Sequence, residues 1–160
     1  MSHSSTHAAL LIAPDGWQIG VDLEVSRPRD VLRLARFGFH EAEVRALESA
    51  DPESREALFY TLWTLKESFA KALQLELVDA IRQCVFWNDG ESWQGRVPTG
   101  SRWGAVVFQP RPRIFLGAAW LGGSEGESLE LWEWPPKQRG DWPVMAACAG
   151  APSTADAAPA

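Results

Sequence analysis

Cysteine is scarce in this 160-residue chain: Cys84 and Cys148 stand alone and far apart. That excludes a disulfide framework and the paired spacings of structural zinc sites. Long apolar runs are missing too, and no stretch reaches the length needed to cross a bilayer. The short run Ala8 to Ala13 has no basic region before it, so it does not read as a signal peptide. Positive charge is in deficit: 15 Lys and Arg against 21 Asp and Glu leave a net charge of −6. General nucleic-acid binding runs on an excess of Lys and Arg and is disfavoured. A local basic site for a small phosphorylated ligand is still allowed. These absences lead us to expect a cytoplasmic protein with no membrane and no nucleic-acid partner.

What is present is enough for one domain with a core. Hydrophobic residues make up 46% of the chain, which places it among globular proteins. Nine tryptophans are many for this length, and most should be buried or half-buried in strands. The start reads as a hairpin: Ala8 to Ala13, a turn at Pro14-Asp15-Gly16, and a β-rich run from Trp17 ending at Glu24. Asp30 to Phe37 reads as a short basic helix with Arg29, Arg33 and Arg36 on or beside it. His40 to Ser49 reads as a second helix. Asp51-Pro52 is an N-cap with proline at the first helical position, opening a long helix from Glu53 to about Leu73.

Leu58, Leu62, Leu65, Phe69 and Leu73 form one apolar stripe on that helix. At about 100° per residue, Tyr60, Glu67 and Lys71 fall on the opposite side, flanked by Trp63. Beyond it, Cys84 to Trp87 and Ser92 to Val97 read as a hairpin about Asn88-Asp89-Gly90. Trp103 to Gln109 with Arg113 to Trp120 read as a second strand pair, and Leu129 to Trp134 as one more strand. We expect an α+β fold, an antiparallel sheet packed against the long helix, over residues 1–134. Residues 135–160 read as a Pro/Ala-rich disordered tail.

Two short stretches carry chemistry. In IGVDLE, Asp22 and Glu24 sit at i and i+2 on a strand, so both carboxylates face one side. Such a pair suits Mg²⁺, although a bare D-x-E is more often a solvent-facing edge. In WTLKESFAKAL, Glu67 and Lys71 make a favourable helix ion pair of about 0.2–0.5 kcal/mol, and Lys66 on its own is a plain solvated charge. Placed together, Asp22, Glu24 and Glu67 would complete a metal site, with Lys66 and Lys71 neutralising phosphate oxygens.

These stretches closely resemble the paired signature of the 4′-phosphopantetheinyl transferases, (I/V)-G-(I/V)-D-x-E followed by W-(S/T/C)-x-K-E-(A/S)-x-x-K-A. Gly20, Asp22, Glu24, Trp63, Lys66, Glu67, Lys71 and Ala72 fill its fixed positions, and Ser2-His3-Ser4 is similar to the family's S-H-S motif. The resemblance runs from Ser2 to about Leu73.

It implies an enzyme that moves 4′-phosphopantetheine from coenzyme A to a serine of an apo acyl or peptidyl carrier protein, releasing 3′,5′-ADP. It implies Mg²⁺ held by Asp22, Glu24 and Glu67. Lys66 and Lys71 would lie on the phosphates and His3 on the 3′-phosphate of coenzyme A. Glu67, directly or through a water, or its rival Glu24 would take the serine proton. Trp63 is expected to be a structural wedge. The basic stretch Arg27 to Arg36 would steer an acidic carrier or simply be a solvated face.

The motifs resemble the C-terminal half of the larger, two-half members, whose S-H-S lies well inside the chain. Three explanations follow: a misplaced start codon, a homo-oligomer in which a neighbour replaces the missing half, or an inactive remnant that binds carrier protein or coenzyme A. A half left alone would expose one sheet face and favour association. The first explanation is the one we expect.

Overall fold

The first long helix organises the molecule. In the computed structural model, which describes residues 1–123, 129–133 and 141–151, it spans Pro52–Leu73. The Asp51 carboxylate accepts the Glu53 and Ser54 N–H groups, each at 3.0 Å, and Pro52 needs no partner there. Gln74 closes the helix with a left-handed backbone, φ 56°. The apolar stripe packs as the spacing predicts, with Leu62, Leu65 and Phe69 buried. The opposite side is buried too: Tyr60, Thr64 and Ser68 are enclosed, so the helix lies within the fold and not upon it.

In chain order the elements are β1 (Ser2–Ser4), β2 (His7–Ala9), β3 (Gln18–Val25), α1 (Val31–Gly38) and α2 (Glu41–Ser49). The long helix is α3, followed by α4 (Leu77–Gln83), β4 (Val85–Asn88), β5 (Trp93–Arg96), β6 (Trp103–Arg111), β7 (Ile114–Leu121) and β8 (Val144–Gly150). The main sheet is antiparallel in the order β3-β7-β6-β8, beside two-stranded pairs β1-β2 and β4-β5. This is the expected α+β class.

α3 crosses the inner face of β3 and β7, and two glycines let it approach. A Cβ on Gly20 would lie 2.0 Å from the Ser68 carbonyl oxygen, and one on Gly117 would lie 2.6 Å from Thr64 Cγ2. Residues of α3's other side, with Phe39, Phe86 and Trp103, build the core against α1, β4 and β6. The outer sheet face carries Val106, Phe108 and Ala118, onto which Leu11, Trp120, Leu131 and Trp142 pack. The sheet face expected to lie bare is therefore partly covered by the connecting segments.

Three expectations need correction. The predicted hairpin of Ala8 to Ala13 with Trp17 to Leu23 does not form. The turn exists, with Trp17 N–H on the Pro14 carbonyl at 3.4 Å, but β2 ends at Ala9 and pairs with β1. β3 takes its ladder from β7, nearly 100 residues on, with Asp22 opposite Gly117. The strand expected over Leu129 to Trp134 shows only an isolated bridge at Trp132 within 129–133, and Trp134 lies outside the described residues. Within the segment read as a tail, Val144–Gly150 is β8, laddered to β6 from Val144↔Phe108 to Gly150↔Trp103. The rest of that segment lies mostly outside the described residues.

Candidate active site

Asp22 and Glu24 alternate onto the inner face of β3, where α3 lies. Asp22 is buried and Glu24 half-buried. β1 runs along the free edge of β3 without forming a ladder with it. Ser2 Oγ donates to Asp22 Oδ1 at 3.2 Å and accepts the Leu23 N–H at 3.2 Å. Ser4 Oγ donates to Glu24 Oε2 at 3.5 Å and accepts the Val25 N–H at 3.2 Å. Serine side chains thus satisfy edge groups that would otherwise stand open.

From α3, Lys71 reaches across the glycine-thinned contact. Its ammonium donates to Asp22 Oδ1 at 2.7 Å and to Ser2 Oγ at 3.1 Å, and lies 3.9 Å from Glu67 Oε2. Burial and then the Asp22 charge raise the Glu67 pKa to about 7, with Lys71 opposing and Glu24 adding to the rise. Burial, then Asp22, raises Glu24 as well, while Arg29, the Trp63 side chain and Ser4 hold it back. The three carboxylates therefore feel one another, and a single lysine stands among them.

Lys66 is not part of this group, which corrects the expectation that it lies on the phosphates. Its side chain is 0% exposed and its ammonium sits 2.9 Å from Glu43 Oε2, itself 0% exposed. It donates to the Ile81 carbonyl at 2.8 Å and to that of Cys84, and lies 4.9 Å from the centre of the Phe39 ring. Glu43 is fully engaged, accepting the His40 and Phe86 N–H groups at 2.9 Å each. Burial lowers the Lys66 pKa, and Glu43 opposes that. This is a structural clamp joining α2, α3, α4 and β4.

His3 lies on β1 between the two serines and is exposed. Trp63 stacks with Phe39 and Phe59 at centroid distances of 6.3 and 5.8 Å, which fits the expected wedge, and it also reaches Glu24. Tyr60 was read only as a neighbour on the helix face. Its hydroxyl accepts the Arg27 N–H at 2.9 Å, and its ring carries the Arg29 guanidinium at 5.6 Å. The serines' grip on the acids was also missed, although the matching period-two spacings of S-H-S and D-x-E were in plain view.

Does this group suit a divalent cation? Among the described residues, no three His, Cys, Asp or Glu side chains stand close enough to one point to hold an ion by themselves. The expected three-carboxylate cluster is therefore not assembled in that sense. Two features do fit. Asp22 Oδ2 is buried and lacks any hydrogen-bond partner. Glu67 beside it has its pKa raised to about 7, first by burial and then by the Asp22 charge. A cation bound by Asp22 and Glu67 would relieve both, and Mg²⁺ commonly takes one or two carboxylates and completes its shell with waters and phosphates. An apolar cavity of about 220 Å³, lined by residues such as Leu11, Trp17, Ile19 and Trp120, contains none of these acids.

Comparison with known proteins gives the family. Over 86 residues the chain is 37% identical to a putative 4′-phosphopantetheinyl transferase of Synechocystis, covering 53% of this chain and 35% of that protein. It is 42% identical over 72 residues to the 4′-phosphopantetheinyl transferase AcpT of Salmonella typhimurium, covering 44% and 37%. Against the 4′-phosphopantetheinyl transferase gsp of Aneurinibacillus migulanus it is 32% identical over 117 residues, covering 73% and 47%. The chain thus spans between about a third and a half of the length of these curated relatives. The family model of the 4′-phosphopantetheinyl transferase superfamily matches residues 18–104, which hold β3, α3 and every acid of the site. With the acids of β3 facing Glu67 and Lys71 of α3, and that match across more than half its length, the chain belongs to the 4′-phosphopantetheinyl transferase superfamily.

Proposed function

We propose that this protein transfers 4′-phosphopantetheine from coenzyme A to a serine of an apo acyl or peptidyl carrier protein, in a Mg²⁺-dependent reaction that releases 3′,5′-ADP. The observation that carries the proposal is the meeting of Asp22, Glu67 and Lys71, with one buried Asp22 oxygen left without a partner. Asp22 and Glu67 would hold Mg²⁺, with Glu24 at the rim. When bound, the ion supplies charge neutralisation at the pyrophosphate.

The carrier serine Oγ attacks the β-phosphorus of coenzyme A, a new P–O bond forms, and the bond to the α-phosphate oxygen breaks. The serine proton goes to a carboxylate and 3′,5′-ADP leaves with the electron pair. Lys71, already turned into the acid cluster, stabilises charge on the phosphates. Of the two candidate proton acceptors, Glu67 stands beside Lys71 and the open Asp22 oxygen, where directly or through a water it would take the serine proton. Glu24 is engaged by Ser4 and Trp63. His3, exposed beside the site on β1, is open to the 3′-phosphate of coenzyme A.

α1 supplies a docking face for the carrier. Arg33 is exposed there, with Leu34 at 40% and Phe37 at 87% exposure, and Arg36 is paired to Glu48 at 2.7 Å. A basic surface with apolar residues suits an acidic helix of a carrier protein.

Intact-mass analysis of an apo carrier protein incubated with the chain, coenzyme A and Mg²⁺ tests the proposal. We expect a phosphopantetheine-sized gain that EDTA removes and that Glu67→Ala, folded as the wild type, does not give. A chain that leaves the carrier's mass unchanged yet binds carrier or coenzyme A would instead be a non-catalytic binding module.

A further inference from the structure

We infer that Ser2 and Ser4 are positioning residues that set the rotamers of Asp22 and Glu24, so that β1 is part of the reaction centre and not merely an edge cover. The inference rests on the functional reading above. It starts from a repeated bonding pattern. Ser2 takes the Leu23 N–H and gives its hydroxyl proton to Asp22, the residue before. Ser4 takes the Val25 N–H and gives its proton to Glu24, again the residue before. The two-residue period of β1 is therefore matched, hydroxyl by carboxylate, to the two-residue period of β3.

An edge cover needs only half of this. Accepting the two N–H groups would satisfy the strand, and any hydroxyl or carbonyl nearby would do it. The second bond, onto the carboxylate, does nothing for the edge but restricts the acid. At Ser2 the restriction is complete. A serine hydroxyl has one donor and two acceptor sites. Asp22 Oδ1 takes the donor, while the Leu23 N–H and the Lys71 ammonium fill the acceptors at 3.2 and 3.1 Å.

Asp22 Oδ1 in turn receives both Ser2 and Lys71, which leaves Oδ2 as the buried oxygen with no partner. The acid is held by one oxygen and presents the other. Ser4 also donates to Glu24, but more loosely, at 3.5 Å and half-buried. The two serines should therefore differ in weight, Ser2 above Ser4.

Removing a partner that orients a metal-binding carboxylate typically costs 10–100-fold in affinity. The test is Mn²⁺ titration calorimetry on the whole chain, with and without coenzyme A, for the wild type and for Ser2→Ala, Ser2→Thr and Ser4→Ala. Far-UV circular dichroism and amide exchange at Leu23 and Val25 check the fold and the strand edge. We expect Ser2→Ala to weaken Mn²⁺ binding by about 10–100-fold, Ser2→Thr to restore most of it by returning the hydroxyl, and Ser4→Ala to have the smaller effect.

A folded Ser2→Ala chain that has lost protection at Leu23 yet binds Mn²⁺ within about twofold of the wild type overturns the inference alone. A folded Ser2→Thr chain no better than Ser2→Ala also overturns it, because the hydroxyl would then not be the active group. A wild-type chain that binds no Mn²⁺ even with coenzyme A overturns both this inference and the metal-dependent reading beneath it.

Discussion

Replacing Glu67 by Gln should stabilise the metal-free protein at alkaline pH, even though it removes a group the proposed reaction needs. The folded-state pKa of Glu67 is about 7 against an ordinary value of 4.5, raised first by burial and then by the neighbouring Asp22. Between those values the folded protein keeps a proton that the unfolded chain has released. Raising the pH through that window therefore lowers stability, and above about 7 the full cost is present. By linkage the gap corresponds to roughly 3 kcal/mol. Glu67 keeps 20% of its side chain in solvent, and screening there reduces the figure to about 1–2 kcal/mol.

Glutamine has the same shape and no charge, and it gives up only a 3.9 Å contact with Lys71. Urea unfolding in EDTA from pH 4 to 8.5 reads the effect. The two chains should be equally pH-dependent below about 4.5, and Glu67→Gln should gain about 1–2 kcal/mol on the wild type by pH 8. Parallel stability curves across the range would refute the reasoning, because Glu67 would then be ionising as freely as in water.

Lys66→Met should unfold far more easily, since it leaves Glu43 charged and buried without its cation. Breaking such a pair costs about 3–5 kcal/mol, which is roughly 6–20 °C in melting temperature for a chain of this size, and thermal unfolding at pH 7 checks it. Gly20→Ala places a Cβ 2.0 Å from the Ser68 carbonyl oxygen, against backbone that cannot step aside. We expect a loss of about 1–3 kcal/mol in urea. We also expect a smaller pH-dependent gap between Gly20→Ala chains with and without Glu67→Gln, because lifting α3 separates Glu67 from Asp22.

What could be read from the sequence was what is set locally. The starts of α1, α2 and α3 follow from Asp30, His40 and Asp51, each of which accepts an N–H group of the helix it opens. The β4–β5 and β6–β7 pairs follow from short turns between β-rich runs. α4 was not seen, because it has only seven residues and Glu76 gives it no side-chain cap. The partner of β3 was misplaced because the nearest β-rich run was taken as its mate, whereas β7 supplied the longer ladder. β8 was lost in an Ala-rich context whose small residues carry no strong β preference. It is a strand because β6 offers an edge for it to complete. At the site, Asp22, Glu67 and Lys71 were found and brought together. Lys66 was misassigned against a signal that was available. It stands four residues after Leu62 and three before Phe69, within the apolar stripe, where a charge needs a buried partner.

Lys66 and Lys71 share one motif, and what separates their roles is how fully each is satisfied. A lysine ammonium has three donors, and those of Lys66 meet Glu43 and the carbonyls of Ile81 and Cys84. Both oxygens of Glu43 are occupied as well, and neither side chain is exposed. Nothing in that pair is free to meet a substrate, and any movement would leave a buried charge alone. Lys71 is 36% exposed, and the acid it grips keeps a buried oxygen without a partner. A fold that satisfies one charged pair to the last donor and leaves an acceptor open in the other, five residues along the same helix, has held its helix with the first. On the proposed reading, the second is where its capacity to bind lies. On that reading the charge that matters for chemistry is the incompletely paired one.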